Sequence, residues 1–149
     1  MIQKLLNSLI KINFIKRYKN LCEEYSDYEN SISTTNHKQL LAQYKKINKN
    51  VKYEPLDRLY TVGFKHNEFN IELCLKLHKG LIQPYFFIEK DGEKLYFHRF
   101  DFICRELNSE FGNKHNIPIY TNYDELERIL IEIFSIYEDF KKEFLKECR

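Results

Sequence analysis

The strongest constraint on the fold is a segment in which apolar and polar residues alternate, EFNIELCLKLH at positions 68–78. Every second residue in it is apolar: Phe69, Ile71, Leu73, Leu75 and Leu77. A period of two places these five side chains on one face of a β-strand, where they need a covering layer. The segment therefore predicts a sheet with one buried face and one polar or half-exposed face.

The residues on both sides of this segment extend it into an antiparallel meander. Residues 59–65 are a candidate strand before it, and YFFIEKDGEKLYFHRF at positions 85–100 contains further strand sequence around Asp91-Gly92. An Asp-Gly pair favours the type I′ turn, which needs positive φ at both central residues. Pro84 has no N–H to donate, so we expect its strand to lie at an edge or to start late. The pattern predicts four strands over about residues 58–100.

Two helices are predicted before the sheet. Apolar residues at spacings of three and four run through residues 2–26 and predict one continuous helix, whose other faces carry lysines. Basic amphipathic helices also bind membrane surfaces, but packing against a core is the more frequent use. A shorter helix is expected near His37–Ile47, with Thr35 or Asn36 as its cap. The following segment, NKNVKYEP at positions 48–55, is interpreted as a break.

Two more helices are predicted after the sheet. Asp101 is a candidate cap for a short helix over residues 102–111. TNYD at positions 121–124 resembles a capping box and starts a long C-terminal helix that ends near Lys146. Together these elements predict an α+β fold, in which a four-stranded antiparallel meander packs against N-terminal helices and a long C-terminal helix. The length of the chain indicates a single domain over residues 1–149.

The bulk composition points to a cytoplasmic protein without a nucleic-acid or membrane partner. The 24 basic and 22 acidic residues give a net charge of +2, without the clustered basic excess that nucleic-acid binding requires. The four cysteines are far apart and form no CxxC pair, which indicates free thiols in a reducing compartment. Lys4 and Lys11 interrupt the apolar N-terminus, so neither a signal peptide nor a membrane span is expected.

The sequence has none of the spacings typical of common catalytic and metal sites. The five histidines have no helical i, i+4 partner, and none is placed with a cysteine at zinc spacing. The four glycines are isolated, so there is no phosphate-binding loop, and no GxSxG motif occurs. We therefore predict no catalytic residue, no metal ligand and no cofactor.

Two other functions stay open. An uncharacterised enzyme could use His98, Cys104 or a carboxylate of the sheet, since a Cys/His pair needs only hydrogen-bond reach in the folded chain. A nucleic-acid-binding module could stack bases on the rings of the predicted sheet: Tyr85, Phe86, Phe87, Tyr96, Phe97 and Phe100. Alternation sends only half of these rings to either face, which favours a role in the core.

The last predicted helix carries a repeated acidic pattern. Glu125, Glu132 and Asp139 recur every seven residues, and Glu143 follows one turn after Asp139. Residues at this spacing form a line along a helix beside its apolar stripe. A solvated helix face explains such a line, and the functional interpretation is a rim that binds a basic protein partner.

The chain resembles the immunity proteins of bacterial polymorphic and contact-dependent growth-inhibition toxin systems. The resemblance lies in the helical start, the meander in EFNIELCLKLH and YFFIEKDGEKLYFHRF, and the acidic closing helix TNYDELERILIEIFSIYEDF. It implies a protein that binds the C-terminal domain of one cognate toxin, often a nuclease, and blocks it without catalysis. The acidic face of Glu125, Glu132 and Asp139 would then replace phosphate in a basic toxin groove. No oligomeric state follows from the resemblance.

Overall fold

The alternating segment forms the middle strand of an antiparallel sheet in the computed structural model of the chain, which describes residues 1–32, 36–112, 114 and 116–149. Within these residues the sheet has five strands in chain order: β1 (Lys52–Glu54), β2 (Leu59–His66), β3 (Phe69–His78), β4 (Leu81–Lys90) and β5 (Glu93–Arg99). Ile71, Leu73 and Leu75 of β3 are almost completely buried under the helices. The predicted α+β class and meander topology are confirmed.

The sheet has one strand more than predicted. β1 lies in the segment that the sequence indicated as a break, and it pairs with residues 59–61 of β2. A strand of three residues is too short to show a period in the sequence, so the pattern did not reveal it. The pairing brings Lys52 and Glu54 to the sheet face that the helices leave open.

Pro84 lies in an interior strand, but at a position with only one neighbouring strand. Ile82, two residues earlier, donates its N–H to the carbonyl of Pro118 on the side of β4 away from β3. β5 ends before it reaches this part of β4. The expected edge is therefore local, and the missing N–H of Pro84 interrupts no strand ladder. At the other end of β4 the predicted turn is present, with φ of 51° at Asp91 and 79° at Gly92.

The α-helices within the described residues lie on one side of the sheet. They are α1 (Ile2–Lys11), α2 (Phe14–Glu24), α3 (His37–Ile47), α4 (Phe100–Leu107) and α5 (Tyr123–Glu147), with a 3₁₀ turn over Tyr28–Asn30. None of these helices has both the length and the apolar character needed to cross a membrane.

The prediction of one continuous helix over residues 2–26 is wrong at its middle. Asn13 adopts a left-handed conformation, with φ of 58°, and separates α1 from α2. Asparagine is one of the few residues other than glycine that adopt this conformation readily. The change of direction lets α1 pack along α5 while α2 also contacts α4. The apolar spacing continues across the break, so it gave no sign of it.

The predicted caps of the other helices are partly confirmed. Asn36 caps α3 by accepting a hydrogen bond from the Gln39 N–H at 3.2 Å, and Thr35 lies outside the described residues. α4 begins and ends earlier than the predicted span of 102–111, and Asp101 does not cap it. The carboxylate of Asp101 accepts hydrogen bonds from other side chains instead, among them Arg99 and Asn116.

A cluster of aromatic rings lies in the core between the two layers, among many aliphatic side chains. Phe86 of β4 is fully buried, and its ring centroid lies 4.9 Å from that of Phe100 on α4 and 4.6 Å from that of Phe140 on α5. Phe14 of α2 adds a fourth ring, 4.9 Å from Phe100 in an edge-to-face arrangement. Such ring pairs stabilise a fold beyond the area that they bury. One aromatic cluster therefore joins three helices to the sheet.

Candidate functional site

The predicted acidic line is present on α5, but two of its members bind an arginine of the same chain. Arg17 of α2 lies between them, with Nε 3.1 Å from Glu132 Oε1 and Nη1 2.8 Å from Asp139 Oδ2. Arg17 Nη2 also donates a hydrogen bond to Ser135 Oγ at 3.1 Å. These contacts tie α2 to α5, so both carboxylates already have a role in the fold.

The other two members of the line also have partners. Glu125 accepts a hydrogen bond from the Thr121 N–H at 2.8 Å, and Asn122 caps α5 by accepting one from the Glu125 N–H at 2.8 Å. This arrangement is close to a capping box, and its cap lies one residue later than predicted. Glu143 Oε1 lies 3.2 Å from Lys146 Nζ. The line stays a predicted partner-binding rim, with carboxylates that are engaged within the chain.

The uncovered face of the sheet, on the other side of the molecule, offers a different surface. A groove of about 510 Å³ crosses this face, and we call it the open-face groove. It is lined by Glu54, Asp57, Leu59, Thr61, Glu72, Cys74, Lys76, Tyr85, Phe87, Glu89, Lys94 and Phe97. The five strands and the turn between β1 and β2 supply all of these side chains.

Strand register places Glu72 at the centre of the open-face groove. Glu72 pairs with Gly63 on β2 and with Phe87 on β4, and Phe87 pairs in turn with Phe97 on β5. Successive residues of a strand point to opposite faces, so these side chains all face away from the helices. This row of the open sheet face therefore runs from a glycine at the border of the groove past a carboxylate to two aromatic rings.

The open-face groove is acidic although the chain as a whole is slightly basic. Four carboxylates and two lysines line it, in a chain with a net charge of +2. None of the four carboxylates forms an ion pair with another described residue. Burial and the charges of Glu54 and Glu89 raise the pKa of Glu72 above its ordinary value, and Lys52 opposes the rise. Negative charge is therefore concentrated there, and no described residue serves as a direct counter-ion.

A glycine in the middle of β2 makes room for the central carboxylate. A Cβ at Gly63 would lie 2.6 Å from Glu72 Cγ and 2.6 Å from the carbonyl oxygen of Ile71. Glycine weakens a strand interior, and it occurs there where another group approaches closely. The missing side chain at this position therefore allows the Glu72 side chain to lie across β2.

Gly63→Ala is expected to lower the free energy of unfolding by about 1–3 kcal/mol, because the new methyl group overlaps a backbone oxygen that has no room to move. Urea denaturation of both proteins measures the difference. Gly112→Ala is the matched control, since a Cβ there meets no atom of the described residues within 4 Å. We expect the control to stay within about 0.5 kcal/mol of the wild type. Equal stability of the two variants would contradict the close approach at Gly63.

Three aromatic rings, those of Tyr85, Phe87 and Phe97, line the open-face groove on β4 and β5, and we call them the aromatic wall. The Tyr85 and Phe97 rings are stacked, with centroids 4.8 Å apart and an interplanar angle of 15°. Phe87 meets Phe97 edge-on at 5.7 Å. These three rings are half-buried, whereas the other three rings of the same two strands and of the start of α4 lie in the core. The predicted division of the rings between the two faces is correct.

A second groove beside β1 and β2 carries lysines. It has a volume of about 620 Å³ and is lined in part by Lys45, Lys49, Lys52 and Lys65. It also contains Glu54 and Glu72, which it shares with the open-face groove. A base-stacking surface needs rings and phosphate-binding cations together, but the outward rings lie where carboxylates dominate. The arrangement disfavours a nucleic acid as the ligand of this face.

The residues of the enzyme alternative lack the environment of a nucleophile. Cys104 is fully buried, and burial raises the pKa of its thiol well above the ordinary value. Cys74, which lines the open-face groove, is only 2% exposed, and burial raises its pKa to about 12. His98 Nδ1 lies 3.3 Å from Glu106 Oε1, outside the open-face groove. Both thiols therefore stay protonated at neutral pH and are poor nucleophiles.

The described residues contain no group of three His, Cys, Asp or Glu side chains close enough together to hold a metal ion.

Comparison with protein-family models, with curated proteins and with solved structures finds no match for this chain. A functional interpretation therefore rests on the chemistry of the open-face groove.

Proposed function

We propose that this protein is a non-catalytic binding protein of the immunity type, which neutralises a cognate toxin domain in the cytoplasm by direct contact through the open-face groove. The observation that supports this function is an uncovered sheet face with half-exposed rings and, within the described residues, carboxylates without ion-pair partners. Protein interfaces are enriched in aromatic residues, and their charges complement those of the partner. The partner that fits is a basic domain, such as the substrate groove of a nuclease toxin.

The rim of the groove supplies an apolar contact for such a partner. Leu56, at the turn between β1 and β2, is 99% exposed, and its neighbour Asp57 lines the groove. A single exposed leucine is common on protein surfaces and would not by itself indicate binding. Next to a groove that is itself lined by three half-buried rings, it offers a partner one more apolar contact.

Binding is better supported than catalysis because the open-face groove lacks an activated nucleophile. Its thiol, Cys74, is buried and has a raised pKa, as described above. Carboxylate pairs serve as general acid and base in many enzymes, but here the acidic side chains lie beside rings on a surface formed only by strands and a turn. An open surface of this kind excludes water from a reacting group less well than a closed site does.

The test is protection of cells from the product of the gene next to that of this protein, together with binding measured on the purified pair. We expect a dissociation constant in the nanomolar range for the wild type, about −12 kcal/mol. The double variant Glu54→Lys, Glu89→Lys should weaken binding by more than about 100-fold, because like charges that face each other across an interface cost several kcal/mol.

Glu143→Lys, on α5, is the control that separates the two acidic surfaces. If the groove is the binding surface, this variant keeps its affinity within about threefold, as expected for a surface charge outside the contact. If Glu143→Lys abolishes protection and the double variant does not, the acidic line on α5 is the binding rim. A wild-type protein that gives no protection from the neighbouring toxin contradicts the proposed function as a whole.

A further inference from the structure

We propose that the open-face groove recognises a single cationic side chain, arginine in preference to lysine, which lies against the Phe87 ring with the Glu72 carboxylate as its counter-ion. This inference rests on the proposed function, because it names the chemical group that a basic partner domain presents. Three observations support it: the lining of the groove, the cross-strand neighbours of Glu72, and the charges around Glu72.

The neighbours of Glu72 leave its carboxylate beside an aromatic ring. A glycine opposite it on β2 leaves space for its side chain, and any Cβ at Gly63 would overlap Glu72 Cγ. On β4 the residue opposite Glu72 is Phe87, so a ring and a carboxylate stand side by side. A glycine in the middle of a strand makes the strand less stable, and here it leaves room for the side chain of Glu72.

Glu72 forms no ion pair with any described residue. Within the described part of the chain its polar contact is the Cys74 thiol, with Sγ 4.0 Å from Oε2, which is a weak donor. Glu54 and Glu89 repel it, and Lys52 provides a weaker opposing charge. A half-buried carboxylate among other carboxylates is unfavourable, and a cation from a partner would compensate for the lost hydration and for the repulsion.

The shape and chemistry of the wall favour arginine. A guanidinium group is planar, stacks on aromatic rings and donates two parallel hydrogen bonds to one carboxylate. Phe87 and Phe97 meet nearly at right angles, so the outward ring surface turns a corner beside Glu72. Lys94 Nζ already lies 5.5 Å from the centroid of Phe97, which shows that this wall accommodates a cation.

The experiment uses a hexa-arginine peptide as the probe, with hexa-lysine and neutral hexa-citrulline peptides for comparison, titrated calorimetrically into the 149-residue chain at low salt. We expect the wild type to bind hexa-arginine more tightly than hexa-lysine and not to bind hexa-citrulline. Glu72→Gln should weaken hexa-arginine binding by about tenfold or more, the usual effect of losing a hydrogen bond to a charged group. Glu138→Gln, at an exposed position of α5, should bind as the wild type does.

A stability measurement shows whether Glu72→Gln acts through the site or through misfolding. Since the pKa of Glu72 is raised in the folded protein, its ionisation opposes folding, and wild-type stability falls as the pH rises through that pKa. Glu72→Gln should therefore have a higher Tm than the wild type at pH 7. The difference should shrink as the pH falls below the ordinary pKa of a glutamate, where both side chains are neutral. Glu138→Gln should show neither change.

Three outcomes would overturn the inference: equal loss of hexa-arginine binding in Glu72→Gln and Glu138→Gln, a lower Tm for Glu72→Gln at pH 7, or tighter binding of a 12-nucleotide single-stranded RNA than of hexa-arginine. The peptide titration is independent of the toxin assay. Arginine binding that depends on Glu72, found in a protein that fails to protect cells, would support the cation site and reject the immunity function. Protection that is unaffected by Glu72→Gln, with no hexa-arginine binding, would reject the cation site and keep the function.

Discussion

Asp101→Ala is expected to lower the free energy of unfolding by about 3–5 kcal/mol, the usual result of removing one partner of a buried ion pair. The carboxylate is fully buried, and its Oδ2 accepts hydrogen bonds from Arg99 Nη2 at 2.9 Å, Arg105 Nη2 at 3.4 Å and Asn116 Nδ2 at 2.8 Å. The side chains of Arg99 and Arg105 are only 21% and 24% exposed. Without Asp101, two partly buried guanidinium groups lose their counter-ion.

Urea denaturation of Asp101→Ala and of two comparison variants measures this effect. Asp124→Ala is the matched control, because Asp124 also lies in the first turn of a helix but is exposed, and we expect it to cost no more than about 1 kcal/mol. Asp101→Asn keeps an oxygen acceptor without the charge and should fall between the other two. A loss below about 1 kcal/mol for Asp101→Ala would mean that the arginines are held mainly by the Phe102 ring, which lies 5.0 Å and 4.6 Å from them.

The Asp101 network also connects the core to the open-face groove. Arg99 is the last residue of β5 and pairs with Tyr85, which belongs to the aromatic wall. The hydrogen bond of Arg99 with Asp101 raises the pKa of its guanidinium group, which therefore keeps its charge at neutral pH. The buried carboxylate therefore fixes the end of the strand on which part of the wall stands.

The sheet could be predicted from the sequence because its signals are local. Alternation over residues 68–78 determines both the strand and the face that it buries, and the Asp91-Gly92 pair determines a turn through its backbone preference. The same alternation predicted that the rings of residues 85–100 divide between the core and the outer face. These features depend on neighbours in the sequence, which is why they were recovered.

The break at Asn13 and the strand β1 could not be predicted, for related reasons. The apolar stripe of the first helix continues through Asn13, so its spacing is the same for one helix and for two. β1 is too short for a period, and it is a strand only because β2 lies beside it. The helix break is decided by packing against α5, which is distant in the sequence, whereas β1 depends on its pairing with β2 a few residues later.

The acidic line on α5 illustrates the same limit for functional residues. Its spacing correctly placed Glu132 and Asp139 on one side of the helix, but it gave no sign that Arg17, more than a hundred positions earlier, would lie between them. The open-face groove, in contrast, could not be predicted at all, because its residues are scattered along the sequence. Its acidic residues come from β1, the turn after it, β3 and β4, and only the pairing of the strands brings Glu54 and Glu89 within electrostatic reach of Glu72.

Two residues on the open face of the sheet depart from local rules, and they are directly opposite each other. Gly63 is a glycine inside a strand, and Glu72 is a half-buried carboxylate without an ion-pair partner among the described residues. Each departure lowers stability, and each is explained by the other, since the glycine provides the space that the carboxylate occupies. Departures of this kind are expected at functional sites, where stability is traded for a surface poised to bind.

Phe86→Ala is expected to lower the free energy of unfolding by about 3–5 kcal/mol, because it removes a fully buried ring and leaves a cavity among well-packed neighbours. Its ring contacts those of Phe100 and Phe140, which belong to two different helices. The collapse of such a cavity would require both helices to move toward the sheet. Other core contacts hold both helices in place, so the cavity should stay open. We therefore expect the loss of stability to lie at the upper end of this range.

Phe87→Ala is the matched comparison, because Phe87 is the next residue of β4 and points to the other face of the sheet. Its ring is half-buried, so its removal should cost less than about 2 kcal/mol. It should nevertheless weaken hexa-arginine binding about as much as Glu72→Gln does, whereas Phe86→Ala, measured where it is still folded, should bind normally. Urea denaturation and the peptide titration together decide the outcome. If Phe87→Ala binds the peptide as the wild type does, the aromatic wall contributes no binding surface and the cation contacts only carboxylates.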